Sequence, residues 1–299
     1  VPASPQEECF MIHTIENEYL TVSASERGAE LQSVVYGGTE YLWQGNPEYW
    51  SGRAPVLFPI VGKLKGGAML YDGNKYVMKN HGVCMDAEFA LHEKTRESIT
   101  FRLCDNILTK QVYPYDFELL VTYKLSGQTL TTHLQVTNRY KNPMFFSIGG
   151  HPAFNCPLSE GESFEDYEIE LNEKETQGTR MLDQDGLVTG KTMPFFNDTS
   201  TIPLDYRHYR ELGTLVFKNL NSNAATLRSK KSGKAVTVGF PDFQYFAVWT
   251  LPGAPFICLE PWQGICDSSF YNGNFRGKTG TIELAPDAVY TCEFTITPA

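Results

Sequence analysis

The chain has 299 residues, 41% of them hydrophobic, enough to bury a sizeable core as one large all-β domain or two smaller ones. Its formal charge of −10 argues against nucleic acid and anionic membrane surfaces as partners. No apolar run approaches the roughly 18 residues needed to cross a bilayer, and neutral or weakly charged small molecules remain open as ligands.

Residues 1–10, VPASPQEECF, lack a basic region followed by an apolar stretch and read as an N-terminal tail or a remnant of expression. Strand-like patterning begins near Met11, and no linker, repeat or low-complexity segment follows, so a single domain is expected over residues 11–299. Alternation of period two then recurs along the chain, in SITFRL (98–103), FELLVTYKL (117–125), LTTHLQVTNR (130–139), KAVTVGF (234–240) and YTCEFTIT (290–297). In the third of these, Leu130, Thr132, Leu134 and Val136 share one face, with Thr131, His133, Gln135 and Thr137 on the other. The turn signals YDGN, LSGQ, KSGK and LPGAP punctuate the pattern. Many short strands joined by such turns predict a large antiparallel β-sandwich or barrel. Helical periodicity is weak, and LDYRHYREL (204–212) is the best candidate for one or two turns. The seven cysteines are dispersed without CxxC spacing, which predicts reduced thiols, a cytoplasmic setting and no zinc motif.

Six histidines compete for a chemical role. His13, His92, His133 and His208 lie in strand or charged contexts that suit a solvated or structural side chain. His81, in KNHGVC, and His151, in GGHPAF, adjoin glycine, where the backbone needs conformational freedom or a ligand comes close. Histidine titrates near neutrality and can donate a proton or orient a hydroxyl; the plainer alternative for both is a hydrogen-bonded turn residue. Glu260 ends the apolar strand pattern of PFICLEPWQG, on one face with Phe256 and Cys258. Desolvation there raises a carboxyl pKa and makes a stronger base once ionised, against the alternative of a salt-bridged strand-end glutamate. Two histidines and one glutamate form an acid/base set. No GxSxG elbow, GxGxxG or phosphate-binding loop accompanies them.

Five segments in order, RAPVLFPIVGKL (53–64), HGVCMDAEF (81–89), YPYDFEL (113–119), FFSIGGHPAF (145–154) and FICLEPWQGICD (256–267), resemble the aldose 1-epimerase (galactose mutarotase-like) family. They look closest to its branch encoded beside lactose or tagatose operons. The resemblance implies an antiparallel sandwich with a sugar cleft on its concave face, and cofactor-free exchange of the α and β anomers of an aldohexose. It makes Glu260 the general base at the C1 hydroxyl and His151 the general acid at the ring oxygen. His81, Arg53, Asn80 and Trp262 would bind the sugar; Gly149 and Gly150 would let its ring approach the backbone. Trp50 and Trp262 are candidate stacking platforms, whereas Trp43 and Trp249 suit the core equally well. The state expected is a monomer or homodimer, with a small-molecule sugar as partner and no metal.

Two positions depart from the family pattern. Met85 stands where this branch commonly has an arginine, which speaks against a phosphosugar, although Lys63, Lys65 or Arg53 could supply a cation. Gly213, in ELGTLVF, stands where many members carry a sugar-holding aspartate, with Asp205 and Asp242 as nearby alternatives. The leading expectation is a mutarotase for a free aldohexose such as galactose or glucose. A hexose 6-phosphate mutarotase and a non-catalytic carbohydrate-binding protein are the alternatives. A glycosidase needs a second carboxylate across the cleft, and Asp267 reads as a loop brace. Catalysis by ionised Glu260 and protonated His151 predicts a bell-shaped pH profile.

Overall fold

The computed structural model describes residues 10–299, so the tail expected at residues 1–10 lies, apart from Phe10, outside the described residues. Two large antiparallel sheets dominate. In the nine-stranded sheet the order is Thr199–Pro203, Tyr167–Glu175, Ala224–Ser229, Ala235–Gly239, Val289–Pro298, Thr129–Asn138, Phe117–Ser126, Ser98–Cys104 and Ala90–Lys94. The six-stranded sheet runs Leu215–Lys218, Tyr245–Trp249, Phe256–Gln263, Ile148–Gly150 and Val56–Leu57, with Ala153–Asn155 also paired to Phe256–Gln263. A four-stranded sheet from Ile12–Glu16 to Thr39–Glu40 completes the N-terminal part.

The period-two segments are strands because each can bury one face. Leu130, Thr132, Leu134 and Val136 are buried, while Thr131, His133 and Gln135 are half-exposed. Leu119, Val121, Leu134 and Val136 of the large sheet share one hydrophobic core with Ile148, Leu215, Phe217, Phe246, Ile257 and Leu259 of the smaller one. The sandwich is thus closed by apolar burial between the two sheets, at roughly 25 cal/mol per Å² of apolar surface. Each of the four turn signals separates hydrogen-bonded antiparallel neighbours.

The helix expected in LDYRHYREL is present as Tyr206–Leu212, capped by the Asp205 carboxylate on the Arg207 N–H. A second helix, Ile107–Val112, was not foreseen. Its apolar residues Ile107 and Leu108 face solvent, so it carries no buried stripe; Asn106 and Thr109 start it with a reciprocal capping box. Six cysteines among the described residues are free thiols.

Candidate active site

The site is built on Phe256–Gln263, a strand whose two faces are both covered. Ile257 and Leu259 point into the main core. The alternate residues Phe256, Cys258, Glu260 and Trp262 therefore lie on the opposite face, as the strand period dictates. On one side Ala247 pairs with Glu260 and Tyr245 with Trp262, and the small Ala247 leaves room beside the carboxylate. On the other, Gly149 pairs with Trp262 and Ala153 with Cys258. Both pairs belong to one register, and continuing it sets His151 across from Glu260. The ladder breaks there because Pro152 has no N–H. The Pro152 carbonyl still accepts from Leu259 N–H, and His151 N–H donates to the Pro55 carbonyl at 3.1 Å.

The two glycines before His151 serve packing, which corrects the expectation that they admit a sugar ring. A Cβ on Gly149 would lie 2.7 Å from the Pro261 carbonyl oxygen. On Gly150 it would lie 2.6 Å from Phe294 Cζ. Both positions face protein.

His151 Nε2 stands 3.1 Å from Glu260 Oε2, with both side chains almost fully buried. The pair is close but not aligned as a hydrogen bond. Both Glu260 oxygens, His151 Nδ1 and Trp262 Nε1 are buried and meet no partner at hydrogen-bond geometry, although the Trp262 indole N–H lies near enough to Glu260 to favour its charged form. His151, Glu260 and Trp262 line a cavity of about 470 Å³, a size suited to a small ligand. Burial pushes the Glu260 carboxyl well above the usual glutamate range, against a smaller opposing pull from the Trp262 indole N–H. Burial, with His81 alongside, pushes His151 well below the usual histidine range.

His81 lines the same cavity. Its backbone holds φ at +64°, and Gly82 follows at +89°. A Cβ on Gly82 would lie 2.2 Å from the Phe58 carbonyl oxygen, so this turn does require glycine. The Gly62 N–H donates to His81 Nδ1 at 3.2 Å. Nδ1 is therefore an acceptor, which leaves the neutral ring with its proton on Nε2. Burial first, then the Lys63 charge, lowers the His81 pKa to about 4. His81 is a neutral hydrogen-bond donor at the cavity wall.

Asn80, Lys63 and Trp50 also line the cavity. Trp249, which the sequence leaves open between platform and core, lines it too, whereas Trp43 is buried and donates its indole N–H to the Trp50 carbonyl. The His151 ring lies 4.9 Å from that of Trp50 and 5.6 Å from that of Trp249. Arg53 is not brought to this wall. Its Nη1 donates to the Gln32 carbonyl and Gln44 Oε1, and its N–H donates to Glu30. Met85 does reach the cavity. So does Thr214, the residue after Gly213, whereas Asp205 caps its helix and Asp242 accepts from Glu293 N–H. Asp267 braces a loop: it is buried, accepts from Lys65 N–H and lies 3.9 Å from the buried Lys278 Nζ. Thr214 and Gly62 carry no signal in the sequence, because their role depends on which neighbouring strand end the fold sets beside them.

An antiparallel sandwich with this cleft on its smaller sheet places the protein in the galactose mutarotase-like fold class. Residues 11–297 match the family model described as aldose 1-epimerase, and the chain belongs to the aldose 1-epimerase family. It is 40% identical over 270 residues to the plasmid-encoded protein LacX of Lactococcus lactis subsp. lactis, covering 87% of this chain and 90% of that one. A galactose mutarotase related enzyme from Lactobacillus acidophilus superposes with a TM-score of 0.92 at 34% identity over 97% of each chain. A galactose mutarotase-like protein from Lactobacillus casei gives a TM-score of 0.88 at 29% identity, over 97% of this chain and 100% of that one. Among the described residues no helix is long and apolar enough to cross a membrane.

Proposed function

We propose that the protein is an aldose 1-epimerase that interconverts the α and β anomers of a free aldohexose such as galactose or glucose. The observation that carries this reading is the Glu260–His151 pair, 3.1 Å apart, facing a cavity with its polar atoms unpartnered. Ring opening removes a proton from the C1 hydroxyl and delivers one to the ring oxygen. Both oxygens are bonded to one carbon, so base and acid must be close neighbours.

Glu260 takes the hydroxyl proton as the C1–O bond to the ring oxygen breaks, and His151 Nε2 protonates that oxygen. The product is the open-chain aldehyde. After rotation about C1–C2, His151 takes the proton back from the chain hydroxyl, which attacks the other face of the carbonyl. Glu260 returns its proton to the carbonyl oxygen, and no proton is gained or lost. Each transfer is typically worth about 10²–10⁴ in rate. His81 Nε2–H binds a sugar hydroxyl, and the faces of Trp50 and Trp249 cover the apolar side of the ring.

Burial changes the protonation scheme read from sequence. The pair holds one exchangeable proton, and in that state it carries no net charge whether the proton sits on Glu260 or His151. Adding or removing a proton leaves a buried net charge, so the one-proton state is favoured across neutrality.

The test is the polarimetric decay of freshly dissolved α-D-galactose and α-D-glucose. Decay well above the buffer rate is expected; the buffer rate with both sugars would overturn the proposal. One observation favours a second reading. Lys63 faces the cavity and, among the described residues, forms no ion pair with a carboxylate, which suits a hexose 6-phosphate. Faster turnover of galactose 6-phosphate than of galactose would establish that reading instead.

A further inference from the structure

The strand register assembles a donor set that no linear motif displays. Cys258 and Glu260 lie two residues apart on one face of Phe256–Gln263, and His151 faces them from across the ladder. Their ligand atoms, an imidazole nitrogen, a thiol sulfur and a carboxylate oxygen, all lie within 4.8 Å of one another, and all three residues are buried. These are the three donor types that Zn²⁺ takes. Tetrahedral zinc, with Zn–S of about 2.3 Å and Zn–N or Zn–O of about 2.0–2.2 Å, sets its ligand atoms roughly 3.3–3.6 Å apart. His151 Nε2 and Glu260 Oε2 already stand at 3.1 Å, and with all three ligand atoms within 4.8 Å of one another a movement of about 1 Å completes the set.

We infer that His151, Cys258 and Glu260 form a binding site for a soft divalent cation of the Zn²⁺ class, and that its occupancy switches off the acid/base pair. Charge permits this. The empty site is neutral, and Zn²⁺ with one thiolate, one carboxylate and a neutral imidazole also sums to zero, so occupancy leaves no buried net charge. The Glu260 oxygens, which meet neither the Trp262 indole N–H nor His151 at hydrogen-bond geometry, supply the acceptors that a cation needs. A fourth ligand, water or a sugar hydroxyl, would come from the cavity that His151 and Glu260 line. Binding displaces the thiol proton and the proton held by the Glu260–His151 pair. It also removes the base and the acid from use without touching the rest of the cleft. His81 does not join, because its Nδ1 is engaged by the Gly62 N–H.

The experiment uses Co²⁺ and Zn²⁺ as probes on the full-length chain. Wild type is expected to bind one Co²⁺ with a thiolate-to-cobalt charge-transfer band and tetrahedral visible bands, both displaced by Zn²⁺. Cys258→Ala should lose the charge-transfer band and bind Zn²⁺ at least about tenfold more weakly, since even outer residues of metal sites cost about 10–100-fold when changed. Cys258→Ser preserves the side-chain volume and controls for folding. Where anomer exchange is measurable, Zn²⁺ should inhibit wild type reversibly by chelator and Cys258→Ala only at higher concentration. A charge-transfer band that survives in Cys258→Ala, or Zn²⁺ affinity equal in both proteins, would overturn the inference. The spectroscopic readout does not depend on turnover, so it stands or falls separately from the proposed activity.

Discussion

Replacing Gly150 by alanine tests what the glycine pair before His151 is for. The added Cβ would meet Phe294 Cζ at 2.6 Å and Cε1 at 2.7 Å, against an ordinary carbon contact of about 3.5–4.0 Å. The φ of Gly150 is not in the left-handed region, so the strain is steric and comes from the ring. Phe294 is buried, and it neighbours Phe243 at 6.1 Å between ring centres, so it must retreat by about 1 Å within a filled core. Overpacking of this kind costs about 1–3 kcal/mol. In a chain of this length that lowers the melting temperature by about 2–6 °C. Thermal unfolding followed by circular dichroism would measure it, with KM for the sugar determined on the same samples. The expected result is a lower melting temperature and an unchanged KM. In Gly150→Ala/Phe294→Leu the loss should be smaller than the sum of the two single losses, because the shorter side chain vacates the Cζ position. A raised KM at unchanged stability would refute the packing account and restore the reading in which these glycines clear a path for the ligand.

Three further outcomes follow from the geometry. Burial holds the His151 pKa below and the Glu260 pKa above their ordinary values, so the pH–rate profile should stay flat through neutrality. Its acid limb, where His151 gains a second proton for the pair, should fall below the ordinary histidine value of about 6.5; a limb at or above that value would contradict the assignment. His81→Asn keeps a residue that tolerates positive φ but withdraws the Nε2–H donor. It should raise KM by about 2–10-fold, the worth of one neutral hydrogen bond, with little change in kcat, and unchanged KM would remove His81 from the binding wall. Lys278→Met should cost about 3–5 kcal/mol by stranding the buried Asp267 carboxylate. Chemical denaturation should show part of that loss recovered in Lys278→Met/Asp267→Asn; full stability of the single variant would show the pair to be dispensable.

The sandwich was legible where its strands bury one face each. In 130–136 the alternation alone separates the core residues from the exposed ones. The helix at Ile107–Val112 was hidden because it rests on a capping box instead of an apolar stripe. His151 and Glu260 could be singled out as residues, since glycine neighbours and an apolar strand end mark them. Their opposition could not, because it depends on the register between Phe256–Gln263 and the two short strands that flank the Pro152 break. Arg53 shows the limit of motif reading. It sits in the right segment, yet its Nη1 turns to Gln32 and Gln44 and its side chain is not among those that line the cavity. For the glycines, a one-dimensional pattern cannot distinguish space left for a ligand from space filled by Phe294 on another strand.

The central claim is that Glu260 and His151 open the sugar ring as a pair. It is tested most directly by two-dimensional exchange NMR on galactose at anomeric equilibrium, which reads the α-to-β rate constant without net reaction. Wild type should accelerate exchange far above the buffer rate. Glu260→Gln, which matches the carboxyl in shape but cannot accept the proton, should lower kcat/KM by about 10²–10⁴, or roughly 2.7–5.4 kcal/mol. Exchange in Glu260→Gln equal to that of wild type would contradict the account.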